Sequence, residues 1–119
     1  MSAFQEYSDD SHQLVRDSVR RFVDREILPH INDWEEAEEF PRELYLNAGA
    51  AGILGICYPE AFGGSHEGDV FAKVAASEEL MRSGSGGLVA GLVSLDIGLP
   101  PVVKWAKPEL RERIVSQVL

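Results

Sequence analysis

The sequence predicts an all-α fold, an antiparallel bundle of about six helices, and three observations predict it. Apolar residues recur at three- and four-residue spacing in runs that open on aspartate or proline. The one short apolar run bounded by breakers, Ile53 to Tyr58, has no second strand to pair with. From Leu88 to Leu99, large apolar residues fall all round a helical wheel and Asp96 is the only charge, so that helix has to be buried. With 119 residues the chain is long enough for one core, and residues 1–119 read as a single helical domain.

Taken in order, Ser8, Asp9 and Asp10 supply an N-cap and dipole-compatible acids for a first helix. Leu14, Val15, Val19, Phe22 and Val23 form its apolar side, and Leu28-Pro29 interrupts it. A second helix begins near Pro29 and carries Ile31 and Trp34 into the glutamates Glu35, Glu36, Glu38 and Glu39, which read as a solvated face. Pro41 opens a third helix with Leu44, Tyr45 and Ala48 inward, and Gly49 and Gly52 weaken and end it. Ile53 to Tyr58 is then a buried extended connection, and Pro59 to Gly64 a turn whose glycines supply positive φ.

Asp69 caps a fourth helix running to Met81, which delivers the chain to Gly84-Ser85-Gly86-Gly87. The apolar helix after that turn is the central one. Glycines in it cost about 1 kcal/mol each, whereas burying its branched side chains returns roughly 1.5–3 kcal/mol apiece, so docking decides its stability. Pro100-Pro101 is expected to break it, because each proline pushes its predecessor away from α geometry. The apolar run is also expected to be too short and too interrupted for a membrane span. A short helical piece from Val102 to Ala106 follows, and Pro108 opens a last helix to Leu119 with Leu110, Ile114, Val115 and Val118 as its apolar stripe.

The formal charge of −9 disfavours nucleic acid and anionic membrane surfaces as partners. Arg16, Arg20, Arg21 and Arg25 alternate with acids and read as a solvated helix face. Cys57, the single cysteine, excludes an internal disulfide and sits in an apolar run as a small hydrophobe. The first ten residues lack the pattern of a signal or transit peptide, so a cytoplasmic location is expected.

Motifs that carry chemistry are scarce. His12, His30 and His66 are not spaced to share a helical turn, and no metal site is expected. Gly84-x-Gly86 is followed by Val89 where a dinucleotide fingerprint needs its third glycine, and it follows a helix instead of a strand. Glu78-Glu79 reads as a solvated pair, since consecutive helical residues point about 100° apart. Gly87 and Gly91, four apart, would let another helix or a ligand approach the backbone, either as plain core or as the wall of an apolar pocket.

Several stretches taken together carry a resemblance. RDSVRRFVDREILPHINDWEEAEEFPRELYLNAGAAGILGICYPEAFGG from Arg16, SEELMRSGSGG from Ser77, and Pro108-Glu109-Leu110 with Arg111 occur in the order and spacing of the N-terminal helical domain of the flavin-dependent acyl-CoA dehydrogenases. The chain resembles that domain over nearly its whole length. The resemblance implies a three-domain enzyme with a middle β domain and a C-terminal helical bundle absent from these 119 residues. It also implies FAD as cofactor, an acyl-CoA substrate desaturated to a trans-2-enoyl-CoA by a glutamate base, an electron-transfer flavoprotein as partner, and a homotetramer or homodimer.

In that family the base and most FAD contacts belong to the other domains. No catalytic residue is therefore expected in this chain, and little or no FAD should bind to it alone. By position on the helix after the Gly-rich turn, Leu88, Val89 and Leu92 are implied as the acyl-chain wall. Two alternatives share the sequence: a standalone helical interaction module derived from the same domain, and an acyl-CoA oxidase, which passes electrons to oxygen.

Overall fold

The computed structural model describes residues 5–119. The expectation drawn from the first ten residues falls partly outside them. Among the described residues are seven α-helices and no β-strand: α1 (Asp10–Phe22), α2 (Ile31–Ala37), α3 (Arg42–Ala50), α4 (Val70–Leu80), α5 (Gly86–Leu92), α6 (Leu95–Trp105) and α7 (Pro108–Val118). The chain is a plate of 42 × 37 × 20 Å, thin enough that helices buried on one face stay open on the other.

Asp9 starts α1 by accepting the Ser11 and His12 amides, while His12 Nδ1 accepts the Asp9 N–H in return, closing a reciprocal cap. Val15, Val19 and Phe22 form the inward stripe of α1, which continues through a π-turn, Val23–Ile27, to Val23 and Ile27. Leu14 falls outside that stripe and is exposed. The stripe packs mainly on α4, whose Ala72, Ala75 and Ala76 are small enough for the two helices to approach closely. As expected, Asp69 caps α4, taking the Phe71 and Ala72 amides.

The connection from Ile53 to Tyr58 is largely buried, but it is not the extended run expected. The Ile56 N–H bonds the Ile53 carbonyl and the Tyr58 N–H the Gly55 carbonyl, so it is folded into turns with Cys57 at φ 81°, and it carries a single isolated bridge between Ile56 and Ser65. The following turn depends on its glycines. Gly63 has φ +93°, and a Cβ on Gly64 would lie 2.4 Å from the Tyr58 carbonyl oxygen. The main core runs under α1, α3, α4 and α5, and a smaller one gathers Tyr58, Leu99 and Val115 beneath α6 and α7.

Two expectations about the central helix are corrected. It is not one helix from Leu88 to Leu99 but two, α5 and α6, separated by a turn at Val93 and Ser94. Nor do Pro100 and Pro101 break it, because both lie inside α6. The N–H groups they lack would have bonded the carbonyls of Asp96 and Ile97. Ile97 is 83% exposed, so water reaches that side of the helix, while Leu99 on the other is held in the smaller core.

The segment is not buried all round either. Gly86–Trp105 has the length and mean hydropathy, 20 residues and 1.6, of a membrane span, and 22% of it is buried. The turn at Val93 and Ser94 leaves pieces of 7 and 11 residues, each shorter than the roughly 20 residues a span needs.

Charged residues are also more organised than a solvated face. Glu79 is 4% exposed and receives Arg20 through Nε and Nη2 at 3.2 and 3.1 Å, with Arg82 Nη1 at 3.6 Å. Arg16 Nη1 bonds Glu78 at 2.9 Å. Glu79 thus lies between α1 and α4, and the Arg20 guanidinium is held above its ordinary pKa first by its hydrogen bond to Glu79. The expected solvated pair at Glu78 and Glu79 is an interhelical ion-pair network.

A candidate apolar cleft beside helix α5

The cleft is built from the elements on either side of α5. Gly84 turns the chain with φ +75°, and Ser85 then caps α5 by accepting the Leu88 amide at 3.2 Å. The buried Ser85 hydroxyl donates to Glu35 of α2, which ties the start of α5 to the end of α2. On the far side of α5, Tyr45 of α3 donates its hydroxyl to the Gly91 carbonyl at 3.0 Å. Phe40 lies against the same glycine: a Cβ on Gly91 would meet its ring at 3.2 Å. The close approach anticipated at Gly91 is therefore made by aromatic side chains, whereas Gly87 faces open space.

These contacts leave a cleft of about 490 Å³ between α2, α3 and the first turn of α5. Ile31, Trp34, Phe40, Tyr45 and Leu88 supply its apolar surface, and Glu35, Glu38 and Glu39 its acidic rim. Glu38 ends α2 in the left-handed region, φ 58°, which turns the chain toward Phe40 and places consecutive glutamates on the rim. Three of the four glutamates read as a solvated face thus border a cleft, and Phe40 and Trp34 were missing from the sequence-based site. The signal that could have found Phe40 is its position just before the Pro41 that starts α3.

The three residues expected to wall an acyl chain do not share one role. Leu88 lines the cleft. Val89 and Leu92 are buried with it, at 8% and 0% exposure, in the main core behind the cleft. An apolar floor with a negatively charged rim accepts a neutral hydrocarbon and repels phosphate. The Gly84-to-Gly87 turn does not fit the pyrophosphate of FAD, because the Glu35 carboxylate sits against Ser85 at the start of α5 and the Ser85 hydroxyl occupies the Leu88 amide. The described residues contain no group of three or more His, Cys, Asp and Glu that could hold a metal ion.

The cleft and the helices around it belong to an all-α domain built about a Gly-turn helix, and comparison with known proteins gives the family. Residues 9–119 match the model for the N-terminal domain of acyl-CoA dehydrogenases; the chain belongs to that family. It is 36% identical over 107 residues to the mitochondrial long-chain specific acyl-CoA dehydrogenase of Mus musculus, covering 90% of this chain and 24% of that protein. A probable acyl-CoA dehydrogenase of Bacillus subtilis is 36% identical over 102 residues, 84% of this chain and 26% of that one.

Among solved structures, a probable acyl-CoA dehydrogenase from Mycobacterium abscessus superposes with a TM-score of 0.83 at 35% identity, over 92% of this chain and 29% of that one. The acyl-CoA dehydrogenase from Geobacillus kaustophilus gives 0.84 at 28% identity, over 94% and 29%. The chain spans about a quarter of the length of the curated relatives it matches.

Proposed function

We propose that this chain is the substrate-side domain of an FAD-dependent acyl-CoA dehydrogenase that oxidises acyl-CoA thioesters to trans-2-enoyl-CoA. The observation that carries the reading is the family match over residues 9–119, nearly the whole described chain. In this reading FAD is the electron acceptor at a site made by other domains, an electron-transfer flavoprotein reoxidises it, and the full protein is a homodimer or homotetramer. The chain's own contribution is a wall for the acyl tail. Leu88 contacts the tail in the cleft, and Val89 and Leu92 fix the position of Leu88 from the core side.

The test is Leu88→Trp in the full-length gene product, with short- and long-chain acyl-CoA substrates compared. Filling the cleft with an indole should lower kcat/KM for the long chain about tenfold more than for the short one, a difference of about 1.4 kcal/mol. An unchanged long-to-short ratio would remove Leu88 from the acyl wall. The isolated chain is expected to show no flavin absorbance and no turnover, and a full flavin spectrum from it would place the cofactor site in these residues instead.

A further inference from the structure

A second cavity, of about 360 Å³, lies between α6, the 57–59 segment and the start of α4, away from the α5 cleft. Its apolar surface comes from Pro59, Pro100 and Val103, with Cys57 beside them. Within it stand Tyr58, Lys73 and Asp96. The Tyr58 hydroxyl donates to Asp96 Oδ1 at 2.7 Å, and Lys73 Nζ reaches Asp96 Oδ2 at 3.0 Å while lying 5.6 Å from the Tyr58 ring centroid. Tyr58 is 6% exposed, so the group is seated on the smaller core and is not a surface accident.

The hydrogen-bond inventory sets what the cavity lacks. Both Asp96 oxygens have a donor, and the Tyr58 proton is committed. An ammonium has three N–H donors, and the bond to Asp96 uses one of them. What remains on offer is donor capacity on Lys73 beside an apolar wall. A cation would meet the Lys73 ammonium as well as the carboxylates, and an anion would meet Asp96 and Glu67, which also borders the cavity, as well as that ammonium. A neutral acceptor oxygen meets neither penalty.

We propose that this cavity binds a small neutral molecule with an apolar body and one acceptor oxygen, a ketone, ester or ether, with Lys73 donating to the oxygen and Pro59, Pro100 and Val103 holding the body. The proposal does not depend on the flavoenzyme reading. Its test is an amide-resolved NMR titration of the 119-residue chain with three probes sharing one ring: cyclohexanone, cyclohexylammonium and cyclohexanecarboxylate.

Cyclohexanone is expected to shift the Tyr58, Lys73, Asp96 and Val103 amides saturably and more tightly than either charged probe. Lys73→Met, which keeps the apolar stem and removes the donors, should weaken it about tenfold. Val103→Trp, which fills the cavity and leaves Lys73 in place, should abolish the shifts and keeps the test independent of how well the Lys73 variant folds. Absence of saturable shifts with cyclohexanone, equal binding by Lys73→Met, or tighter binding of either charged probe would overturn the proposal.

Discussion

The Tyr45 hydroxyl donates to the Gly91 carbonyl at 3.0 Å, joining α3 to the last turn of α5 across 46 positions of sequence. The Gly91 carbonyl also accepts the Ser94 amide at 3.3 Å, so the Tyr45 hydroxyl is a further donor to it and ties the end of α5 to α3. Tyr45→Phe keeps the ring against Phe40 and removes only the hydroxyl. It is expected to cost about 1 kcal/mol in urea unfolding, with an unchanged m-value.

Glu79 is the charge most dependent on its partners, since its side chain is 6% exposed between α1 and α4. Glu79→Gln removes the anion that Arg20 bonds through Nε and Nη2, while Arg82 keeps Asp24 at 3.3 Å. Arg20 is 56% exposed and can turn to water, which reduces the penalty below that of a fully buried pair. The expected loss is about 2 kcal/mol by denaturant unfolding, and Arg20→Gln should cost less than Glu79→Gln.

The two glycines of the Pro59-to-Gly64 turn should separate by mechanism. Gly63→Ala forces a Cβ at φ +93° into open space, a backbone penalty of about 1 kcal/mol. Gly64→Ala drives a Cβ to 2.4 Å from the Tyr58 carbonyl oxygen, where neither backbone can yield without moving the 55–58 segment. Its loss should exceed that of Gly63→Ala severalfold, measured as the drop in Tm.

Acid should weaken the N-terminal clasp. The Ser11 hydroxyl and the His12 amide hold Asp9 below its ordinary value of 3.8. Burial works to raise Asp69, but the hydrogen bond from His12 Nε2 at 2.7 Å and those from the Ala72 and Phe71 amides outweigh it and hold it below 3.8 as well. A carboxyl with a lowered folded pKa contributes stability above its unfolded pKa and loses it as pH falls through the folded value. Unfolding free energy should therefore decline below about pH 4, and Asp69→Asn should flatten that decline. A decline of equal steepness in the variant would remove Asp69 from the account.

What could be read from the sequence divides by the range of the interaction. The caps at Asp9 and Asp69 and the turn at Gly63 and Gly64 are decided by one or two neighbouring residues, and each was legible. The turn between α5 and α6 was not, because Val93 and Ser94 carry no breaker while Pro100 and Pro101 do. Packing of Leu99 against Tyr58 and Val115 keeps those prolines helical, and that contact spans distant segments.

Glu79 and Arg20 are 59 positions apart, so their pairing leaves no local signature. The cleft was legible only in part for the same reason. Leu88 stood out on the Gly-turn helix, but Trp34 and Phe40 reach it from α2 and from the segment before α3. Val89 and Leu92, equally apolar in sequence, belong to the core behind it.

The central claim, that these residues form one domain of an acyl-CoA dehydrogenase, is tested most directly by reading the coding frame immediately downstream of Leu119. The account predicts that the frame continues into a β-rich segment and then a long helical one carrying a candidate glutamate base. A stop codon directly after Leu119 would contradict it, and would leave the exposed apolar face of α6, with Ile97 and Trp105, as the surface of a standalone interaction module.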